Sequence, residues 1–317
     1  MLSIDPKEIP TAKLHSYLLN AVAPRPIAFA STLDKSGAPN LSPFSFFNVF
    51  SANPPILIFS PARRVRNNTT KHTLENVIET MEVVINVVNY DIVHQMSLSS
   101  SEYPKSDNEF LKSGLTMLES EMVKPFRVKE SPVQFECKVN EVLTLGDEGG
   151  AGNLIICEVL KMHISQTVLD NNNNIDQIKL DLVSRAGGSY YSRAKSGFFE
   201  VPKPLASLGI GVDALPEVVR NSTVLSGHDL GMLANVEVLP SREAIRKKEK
   251  DIMVDYESTD AIGNSFCRSF NIQLVCSKCG KCRSSDIKSY LFVKFNFLLA
   301  GCQNSSVGCM LLCPKSQ

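Results

Sequence analysis

The 317-residue chain is 43% hydrophobic and carries 33 basic and 33 acidic side chains, for a formal net charge of zero. It can therefore bury a large core, and its charge balance gives no reason to expect a nucleic-acid partner or an acidic surface. The opening MLSIDPKEIPTAKLHSYLL includes acids and has no long apolar run, which argues against a secretory or transit peptide and for a cytoplasmic protein.

In chain order, IAFAST (27–32) predicts a short strand that leaves into a hairpin through LDKSGAPN, where Asp34, Gly37 and Pro39 mark the turn. NLSPFSFFNVFSANPPILIFS (40–60) predicts one irregular strand around Phe44–Phe50 and a buried one at Ile56–Ser60. In TKHTLENVIETM (70–81), Leu74, Val77, Ile78 and Met81 recur at helical spacing, with Thr70 or Thr73 placed to cap the start. EVVINVVN (82–89) reads as a strand and DIVHQMSLSS (91–100) as a second short helix. Residues 101–130 are polar and irregular, either a mobile flap or an excursion over the sheet.

VQFECKVNEVLTL (133–145) and LIICEVLKMHI (154–164) are strong strand patterns on either side of the glycine-rich GDEGGAG. The asparagine run 171–174 is a turn, VSRAGGSYYSR (183–193) contains a tight Gly-Gly, and roughly 205–260 reads as short helices and loops. Many short strands and few helices predict a mainly β protein, a barrel with small helical insertions.

Familiar catalytic signatures are missing: no GxSxG, GxxxxGK[ST] or HExxH, and no GxGxxG after a strand. The five histidines show no metal-ligand spacing. What stands out is FSPARRVRNNTTKHTLENV, where Arg63, Arg64, Arg66 and Lys71 precede a helix start rich in hydroxyls. Cations, hydroxyls and free helix N–H groups together suit a phosphate monoester. The nearby phenylalanines can wall a flat ring, with Ser45 and Asn48 at its polar edge, and flavin mononucleotide (FMN) fits that description. The competing reading is a solvated barrel rim.

PRPIAFASTLDKSGAPNLSPFSFFNVFSANPPILIFS and then Lys71-His72-Thr73 resemble the flavin reductase-like, FMN-binding split-barrel family. SPVQFECKV, GNLIICEVLKMHI and RAGGSYY resemble further stretches of it in the same order, from about Pro24 to Tyr191, and the extension to about Leu239 resembles its longer members. The resemblance implies a six-stranded, Greek-key-like split barrel that forms a homodimer with FMN near the interface. It assigns the cofactor to Ser31, Thr32, Phe44, Ser45, Asn48, Ser60, Arg63, Lys71 and Thr73, with Lys71 and Arg63 on the phosphate. His72 departs from the family, which more often has an acid there. Arg25 is a further candidate or simply shapes the chain path; Arg185 and Tyr190 flank Gly187-Gly188 as cofactor rim, interface or plain turn; His163 is a core histidine or lies near a nicotinamide. Cys137 and Cys157 read as inert core residues.

The implied activity is that of an NAD(P)H-dependent flavin oxidoreductase using FMN, with NADH or NADPH as co-substrate. A flavoredoxin-like electron carrier without a nicotinamide site and a split barrel that has lost its ligand are the alternatives. The expected domains are residues 1–204 for the barrel, 205–261 for the extension and 262–317 for a tail. That tail holds seven Lys or Arg against one acid (Asp286), so it carries +6 and the rest −6. It also holds Cys267, Cys276, Cys279, Cys282, Cys302, Cys309 and Cys313. Cys276, Cys279 and Cys282 form a CxxCxxC that wants a fourth ligand before it can close a metal site. An atypical chain end and a partner-docking segment are the other readings of the tail.

Overall fold

The computed structural model describes residues 1–201, 208–244 and 246. Its elements begin with α1 (Thr11–Ala21), β1 (Ala28–Leu33), β2 (Pro39–Phe44), β3 (Phe47–Ala52), β4 (Pro55–Phe59), α2 (His72–Thr80) and β5 (Glu82–Val87). Then come α3 (Val93–Leu98), α4 (Glu109–Ser113), β6 (Met117–Leu118), β7 (Arg127–Val128), β8 (Val133–Thr144) and β9 (Asn153–Ile164). The first of two units closes with α5 (Gln177–Leu180), β10 (Val183–Arg185) and β11 (Tyr191–Arg193), and the division falls between Phe198 and Phe199. In the second unit lie α6 (Glu217–Arg220) and α7 (Gly227–Leu233), the latter started by a capping box between Ser226 and Asp229. The cysteine-rich tail, including Cys276, Cys279 and Cys282, lies outside the described residues.

Seven strands form one antiparallel sheet in the order β2-β1-β5-β8-β9-β4-β3. Its two edges, β2 and β3, are consecutive in the chain, separated only by Ser45 and Phe46. Laid flat, the sheet would set those edges about 29 Å apart, whereas the link lets Phe44 and Phe47 Cα atoms separate by at most about 11 Å. The sheet must therefore curl until its edges approach. No ladder joins β2 to β3 among the described residues, so the curl stays split at that seam.

The alternation along each strand follows from the curl. Ala28 and Ala30 of β1, Phe44 of β2, Leu57 and Phe59 of β4, Val83 and Ile85 of β5 and Ile155 and Cys157 of β9 share one buried cluster on the concave side. Leu74 and Val77 of α2 complete it, so this helix plugs the curl, and Asn76 donates to the Thr32 hydroxyl at 3.1 Å. The convex side carries a second cluster, where Phe29 and Leu41 meet Met96 of α3 and Phe110 of α4.

The expected irregular strand at Phe44–Phe50 is two strands broken at Ser45–Phe46, and this break adds a seventh strand to the expected six. In α2 only Leu74 and Val77 of the four periodic residues are buried; Ile78 is exposed and Met81 ends the helix in a left-handed conformation at φ 56°. Neither Thr70 nor Thr73 caps α2: the N-cap is Lys71, with no side-chain cap. Residues 101–130 are the excursion, not the flap. Their Phe110, Leu115 and Val128 are buried, and Asn86 Oδ1 accepts from Val128 N at 2.9 Å. Helix α1 was not expected, although Leu14, Tyr17, Leu18 and Ala21 recur at helical spacing; none of its residues is buried. It is held instead by polar contacts and by Gly187, where a Cβ would lie 1.9 Å from Asn20 Oδ1. Among the described residues no helix is long and apolar enough to cross a membrane.

Truncating the plug should be costly. Leu74→Ala is expected to lower the unfolding free energy by about 2–5 kcal/mol, measured by urea denaturation; a change below about 1 kcal/mol would mean that α2 does not close the concave core.

Candidate functional site

Where α2 starts, several elements meet around a small, open recess. Asn40 and Ser42 come from β2, two residues apart and so on one face; Arg64 comes from the loop after β4; Lys71, His72 and Thr73 form the helix start; Ser99–Tyr103 follow α3; and Glu109 opens α4. A polar chain fixes the floor. Thr73 Oγ1 donates to Asn40 Oδ1 at 2.7 Å, Asn40 Nδ2 donates to Glu109 Oε1 at 2.9 Å, and Leu41 N donates to Glu109 Oε2 at 3.1 Å. Burial pushes the Glu109 carboxyl above its usual range, against the pull of these donors.

The wall is cationic. Burial first, and the adjacent Arg64 second, hold the Lys71 ammonium below the ordinary lysine range. Lys71 Nζ donates no hydrogen bond to any described residue. Arg64 donates through Nη1 to Thr69 Oγ1 at 2.9 Å and to the Thr70 carbonyl. Its Nε is buried without a hydrogen bond and lies 3.4 Å from Glu102 Oε1, an ion-pair distance without hydrogen-bond alignment. The first N–H groups of α2 have no side-chain cap, so the positive end of the helix faces the same space. This donor set fits a phosphate monoester.

Of the residues singled out in the sequence, Lys71 and Thr73 line the recess, as does His72. Arg63 does not: its guanidinium turns to Asn68, with Nε 2.6 Å from Oδ1, and Arg64 takes the inward position. Ser31 and Thr32 are wholly enclosed in β1; Thr32 accepts from Asn76, and the Ser31 hydroxyl has no hydrogen-bond partner among the described residues. Ser60 Oγ accepts from Asn153 N at 3.0 Å, and Phe44 packs against Phe59 in the core. Asn48 is exposed on β3, its Oδ1 accepting from Val49 N. Asn40, Glu109 and the loop 99–103 were missed. Their signal lay in pairings remote in sequence, such as Asn40 with Glu109.

A second group gathers at the β2–β3 corner. Arg25, buried and with no carboxylate partner among the described residues, donates to the Leu19, Val22 and Ala186 carbonyls and to Ser45 Oγ at 3.4 Å. The first two of those carbonyls end α1, so Arg25 shapes the chain path and ties the helix to the corner, where His15 meets Phe46 edge-on. Arg185 bridges to Arg25 through the backbone, donates to the Tyr190 carbonyl at 3.2 Å and stacks over Tyr191; the Tyr190 ring is exposed.

His163 lies elsewhere, on β9, with Nε2 2.7 Å from Glu136 Oε1. The fully buried Glu136 also accepts from the backbone N–H groups of Glu121, Met122 and Val123, clamping that loop to β8. Burial alone would raise its pKa, but these donors and His163 hold it below the usual range. Cys137 and Cys157 are free and enclosed in the core, and burial raises both thiols.

A family model described as flavin reductase like domain matches residues 21–179. An uncharacterised protein of Aquifex aeolicus is 39% identical over 188 residues, spanning 59% of this chain and 93% of that protein. Among solved structures, nitrilotriacetate monooxygenase component B from Bacillus cereus is similar at 30% identity and a TM-score of 0.60, over 63% of this chain and 98% of its own. A structure from Shewanella frigidimarina, described as a candidate flavin reductase with a split barrel domain, shares the fold at 24% identity and a TM-score of 0.54, over 65% of this chain and 100% of its own.

Protonating Glu136 would remove its charge and weaken it as the acceptor on which the 121–123 backbone and His163 converge. Because its folded pKa is depressed, its stabilisation is full above the unfolded carboxylate value of about 4.3 and is lost as pH falls through the folded one. Glu136→Gln is expected to lower stability at pH 7 by about 1–3 kcal/mol and to flatten the acid limb of a stability-versus-pH curve. An unchanged acid limb would count against the clamp.

Proposed function

The chain belongs to the flavin reductase-like family, and on that premise we propose that it is a cytoplasmic, FMN-dependent NAD(P)H:flavin oxidoreductase that holds the FMN phosphate in the recess at the start of α2. The observation that carries this reading is the Lys71 ammonium, partly buried beside Arg64 and donating to no described residue, on a helix start without a side-chain cap. Two cations and a helix dipole crowded together raise each other's energy, and a dianion relieves that cost. The Thr73 hydroxyl already donates its hydrogen bond to Asn40, so it supports the helix start while Lys71 and Arg64 take the charge.

Bound FMN supplies the ring that accepts hydride from a nicotinamide, so the protein's part is to bind, orient and shield. This accounts for an enzyme sequence without a dedicated acid or base. Ser45 and Asn48, at the seam and on the outer strand β3, are proposed for the ring edge, with Phe44 behind them in the concave core. Phe46, Val49 and Phe50 expose apolar surface at the same edge, which supports a homodimer whose second copy covers it. The Bacillus cereus relative is by description one component of a monooxygenase, which fits a reductase that passes electrons to a separate acceptor.

Flavin fluorescence titration tests the site. Lys71→Ala is expected to weaken FMN binding by about 1.5–3 kcal/mol, roughly 10- to 150-fold, the scale of a charge-assisted hydrogen bond. Riboflavin, which lacks the phosphate, should bind both proteins alike; equal losses for the two flavins would remove the phosphate assignment. Addition of NADH under anaerobic conditions should bleach the bound flavin, and binding without bleaching would make the protein an electron carrier.

The same lysine sets a pH dependence. Its depressed pKa means that the free recess loses a positive charge below the ordinary lysine range, so FMN affinity should fall on the alkaline side. Lys71→Arg should retain binding and abolish that fall; an identical alkaline limb in the arginine variant would assign it to another group.

A further inference from the structure

Two carboxylates border the recess, and they are built differently. Glu109 is buried, with both oxygens engaged by Asn40 and Leu41, so it belongs to the floor. Glu102 stands nearly half exposed on the loop after α3, and its side-chain partners among the described residues are cations. Its Oε1 lies 3.4 Å from Arg64 Nε, its Oε2 accepts from Arg66 Nη2, and its field also acts on Lys71. Arg64 is four-fifths enclosed and faces the recess, whereas Arg66 is largely exposed.

We propose that Glu102 is a resident counter-ion of the recess, pairing with Arg64 until the ligand's phosphate displaces it. The inference rests on the phosphate-binding reading above and extends it by naming what the phosphate must compete with. A phosphate monoester carries about −1.5 to −2 at neutral pH, more than the single charge of the carboxylate, so the exchange favours the ligand. The Arg64 Nε contact lacks hydrogen-bond alignment, so breaking it forfeits an ion pair and no formed hydrogen bond. Arg66, already bonded to Oε2, offers Glu102 a partner outside the recess after displacement. The device keeps Arg64 and Lys71 partly neutralised without a ligand and sets the threshold that an anion must exceed.

The opposite role, in which Glu102 holds Arg64 in place for the ligand, predicts the reverse sign, so one substitution separates them. FMN, riboflavin and inorganic phosphate are titrated against wild type, Glu102→Gln, Arg64→Ala and the double variant. FMN and phosphate are read by fluorescence and by thermal shift. The proposal expects Glu102→Gln to tighten FMN and phosphate by about 3- to 10-fold at low salt, fading as salt rises, and to leave riboflavin unchanged. It also expects the gain to vanish when Arg64 is alanine, since displacement acts through that side chain. Weaker or unchanged FMN binding by Glu102→Gln overturns the proposal while leaving the phosphate site standing, provided that wild type binds FMN and Lys71→Ala weakens it. An equal gain in the Arg64→Ala background also overturns it, reducing Glu102 to a diffuse charge. Failure of all four proteins to bind FMN or phosphate overturns both the proposal and the function on which it rests.

Discussion

The two edges of the main sheet are tied together by Ser45 and Phe46, and much else follows from that short link. A seven-stranded antiparallel sheet has no intrinsic reason to bring its first and last strands together, but a covalent link of two residues leaves it no alternative to curling. Curling gives the sheet a concave side, where alternate residues of six strands can share one apolar cluster, and leaves an open end for a short helix to plug. Helix α2 enters with Leu74 and Val77 inward. Its first turn is left at the rim, against the polar residues Asn40 and Ser42 of β2. The recess is thus a by-product of closing the fold.

That geometry also decides which charges matter. Lys71 and Arg64 are held close by backbone restraints, since Arg64 N donates to the Thr69 carbonyl at 2.9 Å and the Lys71 carbonyl starts α2. Neither can relax its repulsion by moving far away. The described residues answer this pair with Glu102 alone, because the carboxylate of Glu109 is already engaged by Asn40 and Leu41. On the proposed function, an anionic ligand would supply what the fold withholds, and flavin chemistry would then ask little more of the side chains than position.

The long strands were legible because an apolar–polar alternation sustained along a whole segment requires an extended backbone with one face in the core, and 133–145 and 154–164 coincide closely with β8 and β9. Helix α2 was legible through its own period, although its cap was not. Lys71 starts it through backbone geometry, without the hydroxyl contact that Thr70 or Thr73 suggested. Arg63 and Arg64 show where local reading stops. Adjacent in sequence, they part because Arg63 is held by the side chain and carbonyl of Asn68, at a left-handed turn with φ 53°, while Arg64 lines the recess, and no local pattern announces that. Helix α1 has Leu14, Tyr17, Leu18 and Ala21 at helical spacing, but none of its residues is buried and its anchors, Arg25, Gly187 and the His15–Phe46 contact, lie outside that pattern. The link from Thr73 through Asn40 to Glu109 joins residues far apart in sequence, and no periodicity encodes it.

The most direct measurement is the position of the FMN phosphate in a crystal structure of the complex. The account requires it within hydrogen-bond distance of Lys71 Nζ and the first N–H groups of α2, with Arg64 turned toward it. A phosphate bound instead between Arg25 and Arg185, or anywhere that leaves Lys71 facing solvent, would contradict it.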